Sequence, residues 1–133
     1  MHKFIEEYCE KIIPVGSRVT CVPAPTNTDQ DFLVLCNDSN KAASLFQVLT
    51  EDGFELGGSC PFADFSEDIV YGFNSSKKGD VNYIVTASQS FFDDFLLASN
   101  IAKKLNLLDK QQRVDLFQII LYKNFGEHEF VED

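Results

Sequence analysis

Residues 16–36 read GSRVTCVPAPTNTDQDFLVLC, and this stretch decides the expected fold. Its last part, from Phe32 to Cys36, is a continuous apolar run of strand length, typical of a strand covered on both faces. The β-prone run from Val19 to Val22 predicts a second, shorter strand. A polar loop with two prolines separates the two runs. The stretch therefore predicts two strands of one sheet with a stiff polar loop between them.

The residues before this stretch have the spacing of an amphipathic helix. From Lys3 to Ile13, apolar side chains recur at intervals of three and four residues. Pro14 and Gly16 are residues that end helices. We expect an N-terminal helix that stops just before the Gly-Ser pair.

The residues after the stretch predict three more helices and a pair of strands. One helix starts at Asp38 or Ser39 and ends at Gly53. The paired strands cover residues 69–73 and 81–86, joined by a turn-rich segment at 75–80. Two helices close the chain, one starting at Ser88 or Ser90 and one at Asp109.

This order of elements indicates an α+β protein with helices packed on a small mixed β-sheet. A length of 133 residues fits one domain, which we place at residues 1–126. Residues 127–133 form an acidic C-terminal tail that is expected to fray.

The charge balance limits the possible partners. The chain has 21 acidic and 11 basic residues, for a formal net charge of -10. Because nucleic-acid binding depends on Lys and Arg contacts to phosphates, a long RNA or DNA partner is unexpected. A small nucleotide neutralised by Mg²⁺, or a basic protein surface, suits this charge better.

The cysteines do not indicate a metal site. The four, at positions 9, 21, 36 and 60, match no zinc-binding spacing, and those in apolar runs are expected to act as small buried hydrophobic residues. The apolar runs are too short to span a membrane, and no leader with a charged start and an apolar core is visible. These features favour a reduced, cytoplasmic protein without a membrane partner.

The chemistry of the chain is concentrated around an acidic pair. Asp29 and Asp31 open the apolar strand, and alternate residues of a strand share a face. Two carboxylates at such a short separation repel each other, and a divalent cation stabilises both of them in the charged form. Their oxygens suit Mg²⁺ or Mn²⁺, which water and substrate phosphates usually complete. Gly16 lets a phosphate approach the backbone, and Ser17 offers it a hydroxyl and an amide.

A Gly-Ser turn followed at this distance by Asp-x-Asp resembles the nucleotidyltransferase superfamily of polymerase-beta-like fold. Together with the later stretch GDVNYIVT (79–86), the sequence is similar to small uncharacterised members found in phage genomes. The resemblance covers residues 1–123. It implies transfer of a nucleotidyl group from a nucleoside triphosphate to an acceptor hydroxyl, with the acidic pair holding metal ions.

The resemblance also implies a third carboxylate on a later strand, and here the chain departs from the pattern. The matching position holds Asn82, a neutral amide that cannot act as a base. Asp80 lies two residues earlier and would share a face with it if the strand began there. The site predicted is therefore Asp29, Asp31 and Asp80 as catalytic residues, with Asp29 and Asp31 also binding the metal. Gly16, Ser17, Arg18 and Asn82 are the predicted nucleotide contacts.

Several alternatives stay open. Asp29 and Asp31 could be a solvated strand end, and Arg18 fits a phosphate contact and a surface ion pair equally well. Lys77 and Lys78 could steer a triphosphate, although a solvated hairpin tip is the favoured interpretation. Because of Asn82, the chain could also be a degenerate member of the fold that binds a nucleotide or a host protein without turnover. The charge of -10 and exposed phenylalanines would suit a third possibility, an antitoxin-like or inhibitory partner of a larger protein.

Overall fold

The computed structural model describes residues 2–25, 29–56 and 73–130. Within these residues the chain forms five strands, four helices and a 3₁₀ turn at Glu6–Tyr8. The strands are β1 (Lys11–Val15), β2 (Gln30–Leu35), β3 (Glu55–Leu56), β4 (Phe73–Lys78) and β5 (Val81–Thr86). The helices are α1 (Ser17–Thr20), α2 (Ser39–Glu51), α3 (Gln89–Leu105) and α4 (Lys110–Phe130).

The strands form one mixed sheet in the order β1-β2-β5-β4-β3. The two central strands, β2 and β5, are parallel, and every other pair is antiparallel. Helices cover both faces, so the α+β class with helices packed on a small mixed sheet is confirmed. None of the helices in the described part of the chain has both the length and the apolar character needed to cross a membrane.

The alternation of side chains along β2 and β5 divides the core into two layers. On one face Leu33, Leu35 and Ile84 pack against α3 and α4. On the other face the intervening residues pack against α2. Because both faces of these strands are covered, β2 is a continuous apolar run after Asp31, as its sequence indicates.

The sequence prediction of an N-terminal helix is wrong. Residues 11–15 are instead the edge strand β1, paired along its whole length with β2. This pairing satisfies backbone groups of β2 that would otherwise be buried without partners. Pro14 is tolerated because an edge strand leaves alternate N–H groups unpaired. The 3–4 spacing of apolar residues comes from a 3₁₀ turn followed by a strand, and not from one helix.

The predicted strand at 19–22 is also wrong, because residues 17–20 form the short helix α1. The N–H groups of Val19 and Thr20 donate to the carbonyl of Gly16, at 3.0 and 3.1 Å. The segment after α1 is held by Asn106, whose side chain bonds both the N–H and the carbonyl of Val22, at 2.8 and 3.0 Å. These contacts to the α3–α4 connection override the β propensity of the run.

The remaining helices start where the sequence predicts. Asp38, Ser88 and Asp109 each accept a backbone N–H from the first turn of the following helix. Helix α4 continues to Phe130, four residues into the predicted acidic tail. The strand predicted at 69–73 lies mostly outside the described residues, and the strand observed, β4, covers most of the segment expected to be a turn. The turn itself is only Gly79 and Asp80.

Candidate functional site

One row of residues crosses the whole sheet at the start of its two central strands. Consecutive pairings in the five strands connect Val15, Asp31, Asn82, Lys77 and Glu55. Directly paired residues share a face of a sheet. The cross-sheet row, as we call these five residues, therefore places one carboxylate, one amide, one ammonium and a second carboxylate side by side, on the face that α3 and α4 cover further along.

Gly16 follows the row at the end of β1 and lies against Asp31. Its φ of 84° and ψ of -175° belong to a backbone region that only glycine adopts readily. A Cβ at this position would overlap the carboxylate of Asp31. The sequence predicts that a phosphate approaches the backbone of Gly16. In the structure the group that lies against this backbone is the carboxylate of Asp31.

Asp31 is half-buried, and burial raises the pKa of its carboxyl group above the usual range. The hydrogen bond from Asn82 lowers the pKa, whereas the charge of Asp29 raises it. The cationic side chains of Lys77 and Arg18 also lower it. The carboxylate is thus partly removed from water and only partly compensated by its neighbours.

Asp29, just before β2, forms an ion pair with Lys77. The Nζ of Lys77 lies 2.9 Å from Oδ2 of Asp29, and the two side chains are 35 % and 31 % exposed. This contact passes over β5, since Asp29 precedes β2 and Lys77 belongs to β4. The sequence favoured a solvated hairpin tip for Lys77, but its ammonium group lies on the acidic pair.

Asn82 is the most buried polar residue of the row, at 2 % exposure. Its Nδ2 donates a hydrogen bond of 3.1 Å to Oδ1 of Asp31. Its Oδ1 is buried and has no hydrogen-bond partner. A buried carbonyl oxygen without a partner is uncommon in native proteins and calls for an explanation.

Asp80 does not lie in the row. It belongs to the turn before β5, so the alternation of an extended strand does not extend to it. Its Oδ2 accepts a hydrogen bond of 3.2 Å from the amide of Gln30. Gln30 alternates with Asp31 along β2 and faces the other side of the sheet. The structure therefore brings Asp29, Asp31 and Asn82 together and directs the carboxylate of Asp80 elsewhere.

The other two predicted nucleotide contacts flank the row. Ser17 is the first residue of α1 and is half-buried beside Gly16. Arg18 is exposed, and its charge reaches Asp31. Both lie at the edge of the site on the side of β1.

The oxygen donors of the site fit a hard divalent cation. The described residues include no group of three His, Cys, Asp or Glu side chains placed to hold a metal ion. The acidic pair nevertheless supplies two carboxylates, and the unpartnered oxygen of Asn82 supplies a neutral donor. Mg²⁺ is commonly bound by one or two carboxylates, with water and substrate phosphates as the remaining ligands. The residues that would hold the cation are Asp29 and Asp31.

The sequence named Lys77 as a possible phosphate contact but favoured a solvated hairpin tip, because the turn was predicted to start too early. A two-residue turn at Gly79 and Asp80 pairs Lys78 with Val81 and Lys77 with Asn82. The Gly-Asp pair was the available signal, since two-residue hairpin loops favour glycine with a polar neighbour.

Comparison of the chain with protein-family models, with curated proteins and with solved structures finds no match.

Proposed function

We propose that this protein transfers a nucleotidyl group from a nucleoside triphosphate to an acceptor hydroxyl, with a Mg²⁺ or Mn²⁺ ion held by Asp29 and Asp31. The observation that carries the proposal is the packing of the half-buried Asp31 carboxylate against Gly16, beside Asp29. A carboxylate partly removed from water gains more from a cation than an exposed one does. The Gly-Ser turn next to it suits phosphate oxygens.

The bound cation would neutralise the phosphates and orient the leaving pyrophosphate. The residues of the chain have separate roles around it. Gly16 leaves room for the Asp31 carboxylate, Ser17 offers its hydroxyl and N–H to phosphate oxygens, and Arg18 adds positive charge at the rim. Lys77, once released from Asp29, supplies a second positive charge from the side of β4.

The acceptor hydroxyl must lose a proton during the transfer, and the cross-sheet row offers Asn82 where the resemblance to nucleotidyltransferases implies a carboxylate. Transfer of this kind depends mainly on positioning and on charge neutralisation. Asn82 cannot accept this proton, which passes to solvent water instead, and the lack of a carboxylate base there lowers the rate without removing the reaction. We expect slow turnover.

A second candidate function is binding of a nucleotide, or inhibition of a host protein, without turnover. Two observations favour it: Asn82 occupies the row beside Asp31, and Asp80 is hydrogen-bonded to Gln30. In this case the protein would still bind a metal–triphosphate complex and would release no pyrophosphate.

The net charge of -10 favours a small molecule or a protein as the acceptor of the transfer, and as the partner in the second candidate function. Long nucleic acid remains an unexpected partner, since an acidic chain repels the phosphate backbone. Tight binding of transfer RNA or single-stranded DNA at about physiological salt, with a steep salt dependence, would contradict this part of the proposal.

One experiment tests the proposal. The protein is incubated with each of the four ribonucleoside triphosphates, labelled at the α-phosphate, with Mg²⁺ or Mn²⁺ and a cell lysate as the source of acceptors. Labelled product together with pyrophosphate, both lost in the Asp29→Asn, Asp31→Asn double variant, would support transfer. Metal-dependent thermal stabilisation without product would support the second candidate. An absence of product and of any stabilisation by metal and triphosphate would contradict both.

A further inference from the structure

The unpaired buried oxygen of Asn82 has a physical explanation if the side chain serves as a metal ligand. Asn82 is 2 % exposed, yet its Oδ1 has no hydrogen-bond partner. Leaving a buried acceptor unpaired is unfavourable, and an apolar residue of similar shape would avoid the cost. The side chain is nevertheless directed at the acidic pair, because its Nδ2 contacts Oδ1 of Asp31.

Rotation of this amide would exchange its two ends. A half-turn about the Cβ–Cγ bond puts Oδ1 where Nδ2 now lies, next to the Asp31 carboxylate. Without a cation this orientation is unfavourable, because two oxygens then face each other. With a cation bound between them, Oδ1 gains a partner and Nδ2 gives up its own, the 3.1 Å hydrogen bond to Asp31. A cation shared by the two oxygens replaces that bond.

We infer that Asn82 is a neutral oxygen ligand of the divalent cation, which completes a single-ion site with Asp29 and Asp31. This inference rests on the proposed function and specifies its metal site. Amide oxygens are suitable ligands for Mg²⁺ and Mn²⁺. A neutral third ligand adds no negative charge to a site that already contains Lys77, and this favours one cation over two.

The charges near the site agree with this stoichiometry. Asp29 and Asp31 contribute two negative charges, which Lys77 and Arg18 already offset in part. A first divalent cation displaces the ammonium from Asp29. A second one would lack a carboxylate of its own, because Asp80 is hydrogen-bonded to Gln30.

The test measures the affinity and stoichiometry of Mn²⁺ by electron paramagnetic resonance, with the metal alone and with inorganic tripolyphosphate. Asn82→Leu keeps the shape but removes the oxygen, whereas Asn82→Asp keeps an oxygen and removes the donor. We expect one Mn²⁺ per chain in the wild type. Affinity should fall at least about tenfold in Asn82→Leu, by comparison with the 10–100-fold effects of ligand-supporting residues. In Asn82→Asp it should be retained or increased.

The Asn82→Asp result separates a ligand from a positioning residue. If Asn82 only positions Asp31 through its N–H, an aspartate at position 82 loses this donor and repels Asp31. The Mn²⁺ affinity of Asn82→Asp should then fall as it does in Asn82→Leu. That result would overturn the inference, as would unchanged affinity in Asn82→Leu. Ser76→Ala is the matched control, because Ser76 has a buried hydroxyl without a partner on the opposite face of β4 and should not change Mn²⁺ binding.

The failure of the inference is distinguishable from that of the proposed function. Wild-type protein that binds no Mn²⁺, even with tripolyphosphate, would contradict both. Wild-type binding that Asn82→Leu leaves intact contradicts only the role of Asn82. A thermal melt of each variant without metal confirms that it folds.

Discussion

The backbone of Gly16 lies directly against the carboxylate of Asp31, in the space where any other residue would place its Cβ. Gly16 directly follows β1 and Asp31 is the second residue of β2, so the two are brought together by the pairing of Val15 with Asp31. In this position the carboxylate is half-buried. The Asp31 carboxylate can therefore occupy this position only while residue 16 is a glycine, which is also the residue type that the backbone conformation favours.

Gly16→Ala should destabilise the protein and reduce its affinity for Mn²⁺. The positive φ of 84° disfavours alanine, and the added methyl group must push the Asp31 side chain aside. We expect a loss of about 3 kcal/mol in the free energy of unfolding, from the backbone and overlap effects together. Urea unfolding measures the loss, and Mn²⁺ titration measures the binding.

Gly79→Ala is the matched control for this change. Gly79 has a φ of 61° but no atom within 4 Å of where a Cβ would lie. It should lose only about 1 kcal/mol and keep its affinity for the metal. Equal losses of stability and affinity in the two variants would show that the contact between Gly16 and Asp31 has no special role.

The acidic pair and the main helices could be predicted from the sequence because local patterns determine them. Helices α2, α3 and α4 have side-chain caps at Asp38, Ser88 and Asp109. Helices α2 and α3 also have regular apolar stripes. Strand β2 is a plain apolar run. These signals require no knowledge of distant residues.

The errors at the N-terminus arise from contacts distant in sequence. Residues 11–15 form a strand because β2 needs a partner on its outer edge. Residues 17–20 form a helix, with the segment after it held by Asn106 on the α3–α4 connection. Lys77 reaches Asp29 only because the hairpin turn is two residues long. Local patterns do not contain the first two contacts, whereas the short turn does have a local signal in Gly79 and Asp80.

Cys36 should make the stability of the fold sensitive to alkaline pH. Burial raises the pKa of its thiol from 9.0 to about 12. Below pH 9 the thiol is protonated in both states and pH has no effect. Between pH 9 and about 12 only the unfolded chain loses the proton, so the free energy of unfolding falls by about 1.4 kcal/mol per pH unit. The wild type should therefore lose about 2 kcal/mol between pH 8 and pH 10.5 through this group.

The comparison with Cys36→Ala isolates the contribution of this thiol. Urea unfolding of both proteins at the two pH values, under reducing conditions, gives a difference of differences. Effects of other groups, including the raised pKa of Tyr83, are common to both proteins and cancel. An equal alkaline loss in the two proteins would rule out the thiol as its source.

Asp80→Asn should leave both metal binding and turnover nearly unchanged. The Asp80 carboxylate accepts a hydrogen bond from Gln30, and an amide oxygen at the same position can accept that bond as well. We expect a change in stability within about 0.5 kcal/mol. Mn²⁺ titration and pyrophosphate release are measured beside Asp31→Asn, which should lose both. Turnover abolished in Asp80→Asn with intact Mn²⁺ affinity would instead identify Asp80 as the base.

Lys77→Gln should change metal binding in opposite directions, depending on whether a phosphate ligand is present. In the protein without ligands the ammonium of Lys77 lies 2.9 Å from Asp29 and competes with a cation for that carboxylate. Both side chains are about one-third exposed, so the ion pair is worth only about 0.2–1 kcal/mol. Removing it should therefore raise the affinity for Mn²⁺ alone by up to about fivefold. With tripolyphosphate present, the loss of a positive charge beside the phosphates should lower the affinity for the metal–phosphate complex.

Lys78→Gln is the matched control, because it removes the same charge from the next residue, whose ammonium contacts Asp52. That variant keeps the contact between Lys77 and Asp29, so any effect it has reports only the change in net charge. Titration of both variants with Mn²⁺, with and without tripolyphosphate, gives four affinities. Equal changes in Mn²⁺ affinity in Lys77→Gln and Lys78→Gln would show that the ion pair between Lys77 and Asp29 does not compete with the metal ion.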